Sequence, residues 1–474
     1  VAGRRDGSGR GYVGMLAAMP PTSPTPVNRD EAPLRAAVRK SVRERGDACP
    51  GALRLHAADD GRLARLRLPA GLLTPRQAEV VADAAERLGD GHLDLTSRGN
   101  VQLRGLGGSC GAELAERLYE AGLLPSETHE RVRNIVASPL AGLDELPSAD
   151  VQLWARELDG LLCASARAAA LSGRFLFALD DGRGDVAALG ADVTLLARRD
   201  GSAVVRTGAN RSGLRVTPED APRAALLAAE TFLTLAEASG SGAWRVRELP
   251  AEPGRRLEAA VRAGLTDAGI ATESVAEATS RDPVGESPLP GPVMSPDGTV
   301  ALSVHARLGR LSVTQWRLLA TAANGPLRVT PWRGVIVPGV APVAADGVLD
   351  RLRTAGLITG PGSRWHGVGA CTGRPGCAKA LADVRSDAAA AVSRGSGGLP
   401  VYWSGCARRC GHPQGRWVDV VATGEGRYDI SVRGDARPIT TTGPEPELEL
   451  EPEPEPELEL ADAVAAARTT PLTR

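Results

Sequence analysis

The chain has 474 residues, 42% of them hydrophobic, and a formal net charge of −1. That length supports two to four domains with substantial cores, and the balanced charge argues against a chain built to coat nucleic acid. No apolar run reaches the length of a membrane span, and the cationic charge is arginine throughout except for Lys40 and Lys379.

Residues 1–46 read as a disordered N-terminal tail. Arg4-Arg5 precedes an apolar stretch, 12–19, that is too short for a signal core and is broken by Pro20-Pro21. Met15 and Met19 are candidate starts, and the expected compartment is the cytoplasm. Globular sequence begins near Asp47. Residues 62–68, RLARLRL, alternate as a strand with one apolar face. Thr74 is the expected N-cap of a helix that opens on Pro75 and runs to about Leu88. Residues 93–106, LDLTSRGNVQLRGL, read as strand, tight polar turn and strand, and a helix over 110–121 follows.

The next segment holds RNIVASPLAG (133–142), a long helix from Asp150 to about Leu171, GRFLFALDDGRGDV (173–186) and a strand over 192–196. Strands over 203–206 and 214–216 follow, then helices over 221–238 and 254–268 and a linker over 272–292. Gly182-Arg183-Gly184 is too short for a dinucleotide loop and is flanked by aspartates that would repel a pyrophosphate.

Residues 297–340 repeat the pattern of 60–106. Gly71, Leu73, Thr74 and Gln77 match Gly309, Leu311, Ser312 and Gln315, and Leu95-Thr96 matches Val329-Thr330. Two copies of one βαβ-type module follow from this, with a site expected between them. Each copy leads into a larger segment, 130–197 and 367–424, of parallel layout. The second segment reads ACTGRPGC, helix 379–392, linker 393–399, strand 400–404, a further cysteine pair and strand 417–422. From Gly443 the repeat PEPELELEPEPEPELEL is acidic, of low complexity and expected to be disordered.

Four of the seven cysteines lie in that second segment, Cys371 and Cys377 spaced C-x5-C and Cys406 and Cys410 spaced C-x3-C. Four thiolates in two pairs suit a [4Fe–4S] cluster, one per iron. Glycines and prolines around each pair let the backbone wrap a bulky inorganic group. Zinc knuckles favour other spacings, disulfides need an oxidising compartment, and buried free thiols remain the plain alternative. Cys49, Cys110 and Cys163 have no pattern.

LTSRGNVQLRG, RNIVASPLAG, ACTGRPGC and SGCARRCGHP, in that order, resemble the siroheme-dependent nitrite and sulfite reductase superfamily over about residues 48–435. In detail, ACPGALRLHAADDGRLARLRLPAG, GRFLFALDDGRGDV and LRVTPWRGVIVPG are most similar to its precorrin-3B synthase branch. The resemblance implies an α+β fold of two pseudo-twofold repeats, each a ferredoxin-like half-domain followed by a larger α/β domain. The expected boundaries are 47–122, 123–285, 286–355 and 356–438, with an acidic tail over 439–474. It implies a cluster on Cys371, Cys377, Cys406 and Cys410, with Cys410 at the position that bridges to siroheme iron in the reductases.

The reductases set two arginines and two lysines over the sixth ligand of siroheme. The matching positions here are Arg98, Arg133, Arg174 and Leu176. A leucine cannot deliver a proton, which turns the expectation from reduction of a small anion towards dioxygen chemistry. The activity implied is a monooxygenase, hydroxylating precorrin-3A at C20 with dioxygen and closing a γ-lactone, in aerobic cobalamin biosynthesis. An external NADH-dependent reductase or ferredoxin would supply electrons, with neither nucleic acid nor membrane as partner. Arg98, Arg104, Arg133, Arg174 and Arg333 are the expected clamps for substrate carboxylates, Arg98, Arg133 and Arg174 being also the expected catalytic cations. The branch is also associated with a mononuclear non-haem iron. The six histidines form no ligand motif, and His412, beside Cys410, is the candidate. The alternatives are a siroheme-dependent sulfite or nitrite reductase, and a non-catalytic cluster or tetrapyrrole-binding protein.

Overall fold

The computed structural model describes residues 47, 49–146, 149–275, 287–392, 398–434 and 460–469. The expected N-terminal tail, the acidic repeat and parts of both expected linkers lie outside the described residues.

The first ferredoxin-like copy contains β1 (His56–Ala58), β2 (Gly61–Leu66), β3 (Leu72–Leu73), α1 (Pro75–Leu88), β4 (His92–Leu95), β5 (Val101–Leu106) and α2 (Gly111–Glu120). The first large segment contributes β6 (Ile135–Ala137), α3 (Val151–Ala164), β7 (Phe177–Asp180), β8 (Val193–Ala197), β9 (Ala203–Thr207), β10 (Gly213–Val216), α4 (Ala221–Ala238), α5 (Ala251–Asp267) and β11 (Glu273–Val275). The second copy holds β12 (Gly291–Met294), β13 (Val300–His305), β14 (Arg310–Ser312), α6 (Val313–Ala322), β15 (Leu327–Val329), β16 (Gly334–Val340) and α7 (Pro342–Thr354). The last segment has β17 (Val368–Ala370), α8 (Val384–Ala391), β18 (Val401–Ser404), β19 (Trp417–Gly424), β20 (Arg427–Arg433) and α9 (Leu460–Arg468).

The two copies complete each other's sheets. One sheet runs β1-β2-β5-β4-β14 and the other β12-β13-β16-β15-β3, so each takes its last strand from the other copy. Leu311 lies opposite Leu93, and Leu73 opposite Leu327. The crossing is tight. A Cβ on Gly71 would sit 1.9 Å from the carbonyl oxygen of Val329, so only glycine fits there.

Local chemistry repeats as well. Thr74 and Gln77 form a capping box at α1, as Ser312 and Gln315 do at α6. The Gln77 and Gln315 amides then donate to the carbonyls of Ala121 and Ala355, which tie down the last helix of each copy. Helices α1 and α6 pack together through Trp316, fully buried, whose indole N–H donates to the Ala78 carbonyl at 2.8 Å. One continuous apolar core runs through both copies.

The two larger segments share a sheet plan. Strands β6, β7 and β8 are parallel and β9 turns back, as β17, β18 and β19 are parallel and β20 turns back. The observed α8 is shorter than the 379–392 helix expected, because residues 379–383 belong to the cysteine loop. The linker expected over 272–292 begins and ends in strands, β11 and β12. The 439–474 tail is not wholly featureless either. Its α9 buries Val464 in the cluster-side core, and Arg468 donates to the carbonyls of Leu399 and His366.

Candidate functional site

The ends of β17 and β18 carry the cysteine loops. The Cys371 N–H donates to the Trp403 carbonyl at 2.9 Å, and the Gly405 N–H donates to Cys371 Sγ at 3.2 Å. Leu381 N–H reaches the Gly405 carbonyl at 2.8 Å and stitches the two loops together. A Cβ on Gly405 would fall 2.7 Å from that of Ala380, which explains the glycine. In the second loop Arg409 adopts φ 48, and its Nε donates to Oδ2 of the fully buried Asp419 at 2.5 Å. Burial pushes the Cys371 thiol up, the Gly405 and Gly373 N–H groups counter it, and Cys410 and Cys377 act on it as near neighbours.

All four cysteines are free thiols. Among the described residues the group of three metal-ligating atoms within 4.8 Å of one another is Asp180, Asp181 and Asp185, and no three cysteines. A tetrahedral zinc ion would hold its sulfurs only about 3.8 Å apart. Among the described residues the cysteine sulfurs are thus spaced more widely than the ligands of one tetrahedral zinc, and Cys371 Sγ is backed by an N–H···S bond.

Cys371 and Cys410 open onto a cleft of about 400 Å³ between the repeats. Of the five arginines expected there, Arg98, Arg174 and Arg333 line it. Arg98 donates to the Gly173 carbonyl at 3.3 Å, and Arg174 lies over the Trp244 ring at 4.6 Å. Three further arginines, Arg65, Arg67 and Arg385, line it too. Arg65 and Arg67 lie on RLARLRL, where the strand alternation was the available signal: its apolar face is core, and its arginine face is the cleft wall.

Burial, then the like charge of Arg65, pushes Arg67 down to about 9. Burial, then Arg245, pushes Arg98 down to about 10. Both remain charged at neutral pH. Buried Nε of Arg65, Nη1 of Arg67 and Nη1 of Arg385 have no acceptor in the protein. Buried guanidinium donors facing a cleft suit an anionic ligand, which would satisfy them as water otherwise does.

Four residues singled out in the sequence lie outside the cleft lining. Arg104 does not line the cleft. It is 4% exposed, forked onto Asp60 and bonded to the Gly376 carbonyl. Arg133 is also turned away, in a bidentate pair with Asp159 at 2.6 Å. Leu176 is 4% exposed and packs with Val136, Ala178, Val186 and Ala191. His412 is exposed, stacked on Trp417 at 5.3 Å with its Nδ1 at the Pro413 carbonyl, and does not line the cleft. The cleft lining has one carboxylate, Asp94, and no histidine. That does not fit a two-histidine-one-carboxylate iron site. Asp94 accepts from Arg385 at 3.0 Å, and neither residue was foreseen.

The acidic trio Asp180, Asp181 and Asp185 sits at the end of β7, where the other segment carries its second cysteine loop at the end of β18. Its charges are largely met within the loop. Gly182, Gly184 and Ala187 N–H groups cap Asp180, and Arg183 bridges Asp181 and Asp144.

Residues 56–121 and 294–355 each match the model of the nitrite/sulfite reductase ferredoxin-like half domain. A ferredoxin–nitrite reductase of Synechococcus elongatus is 28% identical over 74% of this chain and 74% of its own. A precorrin-3B synthase of a Sinorhizobium species is 27% identical over 83% of this chain and 84% of its own. The solved structure of Mycobacterium tuberculosis NirA shares the fold, with a TM-score of 0.63 at 18% identity over 79% of this chain and 74% of that one. No helix among the described residues is long and apolar enough to cross a membrane.

Proposed function

We propose that the chain is a member of the nitrite/sulfite reductase family, two of whose ferredoxin-like half domains it matches, and that within it the protein acts as a precorrin-3B synthase. In this reading precorrin-3A, a metal-free polycarboxylate, binds between the repeats with its carboxylates on Arg65, Arg67, Arg98, Arg174 and Arg333. Cys371, Cys377, Cys406 and Cys410 would hold a [4Fe–4S] cluster, which supplies electrons singly when bound. One atom of dioxygen enters at C20 of the substrate. The other leaves as water with two protons and two electrons from an external donor, and the ring A acetate closes the γ-lactone. The residues of this chain bind and orient the macrocycle and keep water from its face.

One observation carries this reading. Of the four positions that match the reductases' distal cations, only Arg98 and Arg174 line the cleft. Arg133 is committed to Asp159, and Leu176 is buried in an apolar cluster. Guanidinium groups hold their protons tightly and make poor general acids. Reduction of nitrite or sulfite takes up many protons, whereas this oxygenation takes up two. The longer span matched to the precorrin-3B synthase also supports the reading.

Siroheme-dependent nitrite reduction is the second reading, favoured by the 28% identity to a ferredoxin–nitrite reductase. One experiment separates them. Purified cluster-loaded protein is given precorrin-3A, dioxygen and a reductant, and in parallel nitrite with reduced ferredoxin. The expected result is a product one oxygen atom heavier in the first reaction and no ammonium in the second. Stoichiometric siroheme bands with ammonium formation would overturn the proposal.

A further inference from the structure

Arg104 and Arg333 reach the two cysteine loops from opposite ferredoxin-like copies. Arg104, on β5, donates from Nη2 to the Gly376 carbonyl at 2.5 Å, one residue before Cys377. Arg333, in the turn between β15 and β16, donates from Nη2 to the Gly411 carbonyl at 2.5 Å, one residue after Cys410. The same Nη2 donates to the Tyr402 hydroxyl at 3.1 Å, and that hydroxyl donates to the Cys410 carbonyl at 2.7 Å.

Both targets are glycines whose missing side chains make room for the guanidinium. A Cβ on Gly376 would lie 3.0 Å from Arg104 Nη2, and one on Gly411 would lie 2.8 Å from Arg333 Nη2.

The backbone of Arg333 makes the case sharper. Its turn repeats the first copy's turn bond for bond. Thr96 N–H reaches the Asn100 carbonyl as Thr330 N–H reaches that of Gly334, both at 2.9 Å. Gly99 N–H reaches the Thr96 carbonyl as Arg333 N–H reaches that of Thr330, both at 3.2 Å. Arg333 thus stands where the first copy has Gly99, at φ 59 against 65. Left-handed backbone disfavours a side chain. The arginine is held there against local preference, and what it gains is its grip on the second cysteine loop.

We propose that Arg104 and Arg333 are positioning residues for the four-cysteine site, one clamp from each copy, which fix the separation of its two loops through the glycine carbonyls. The proposal rests on the four cysteines being the cluster ligands. It assigns to the half-domains part of the work of shaping a cluster held by another domain. Outer partners of this kind are worth about 10- to 100-fold in affinity.

The test loads wild type, Arg104→Ala, Asp60→Asn, Arg333→Gly and Arg333→Lys with iron and sulfide. It reads iron and sulfide per chain, the rate of iron loss to a chelator, the EPR spectrum of the reduced cluster and thermal unfolding without the cluster. Arg104→Ala and Arg333→Gly should lose iron about tenfold faster than wild type, with altered EPR spectra. Asp60→Asn, which loosens Arg104 without touching the loop, should shift the same way by less, and Arg333→Lys should lie between Arg333→Gly and wild type. The cluster-free Arg333→Gly chain should unfold at or above the wild-type temperature, because glycine relieves the left-handed turn. Wild-type rates and spectra in every variant would overturn the inference and leave the cluster reading standing. A lowered unfolding temperature in Arg333→Gly that alone accounts for its iron loss would overturn it for Arg333. A wild-type chain that takes up no iron and sulfide would overturn the cluster reading, and the clamps with it.

Discussion

Single residues carry the polarity of this protein in unequal ways. Asp185 is 1% exposed, accepts from the Ser138 hydroxyl at 2.6 Å, and is pushed up to about 7 by burial and then by Asp180. The unfolded chain releases this proton near pH 3.9. Between the two values the folded state binds more protons, so stability falls as pH rises and the full loss is reached above about pH 7. Its size is on the order of 4 kcal/mol. Asp185→Asn keeps an acceptor for Ser138 and removes the titration. Its urea midpoint should gain on wild type steadily from pH 5 to pH 8, and parallel curves would refute this origin. The residue scale is also where the sequence was least legible. Arg104 and Arg133 look like Arg98 in a string of letters. Only the tertiary neighbours Asp60 and Asp159 separate a buried structural arginine from one that faces a ligand.

At the scale of elements the sequence was far more explicit. Thr74-x-x-Gln77 and Ser312-x-x-Gln315 announce their helices because a capping box is a local bond between residues three apart. The cysteine spacings were readable for the same reason, being local in the chain. The exchange of β3 and β14 was not, since strand pairing depends on partners far apart in sequence. Trp316 joins α6 to α1 across that exchange. Trp316→Phe should cost about 1 kcal/mol for the lost bond to the Ala78 carbonyl, and Trp316→Ala about 3–5 kcal/mol for the cavity. Denaturant unfolding followed by circular dichroism gives both values. A cost for Trp316→Ala near that of Trp316→Phe would mean that the helix pair repacks freely.

For the whole molecule, the shared core and crossed strands make the two copies one folding unit. Residues 47–285 expressed alone would have β4 as an open sheet edge and half the core exposed. That piece should show no cooperative monomeric unfolding, and co-expression with residues 286–474 should restore it. A well-folded monomer of residues 47–285 by size exclusion and calorimetry would contradict this. The pseudo-twofold plan was visible in the matched letters. The cleft between the copies was expected from it, and its charge became clear once Arg65, Arg67 and Arg385 were seen to converge.

The strand exchange also bears on descent. A lone copy of such a module could fill its sheet only by borrowing a strand from an identical partner, which makes a twofold dimer its natural free form. Joining two copies in one chain ends the requirement that they stay alike. The ends of β17 and β18 could then keep cysteines while the equivalent ends of β6 and β7 drifted to Ser138 and the Asp180 trio. Within one chain the two equivalent strand ends are free to serve unlike tasks, cysteines at one and carboxylates at the other.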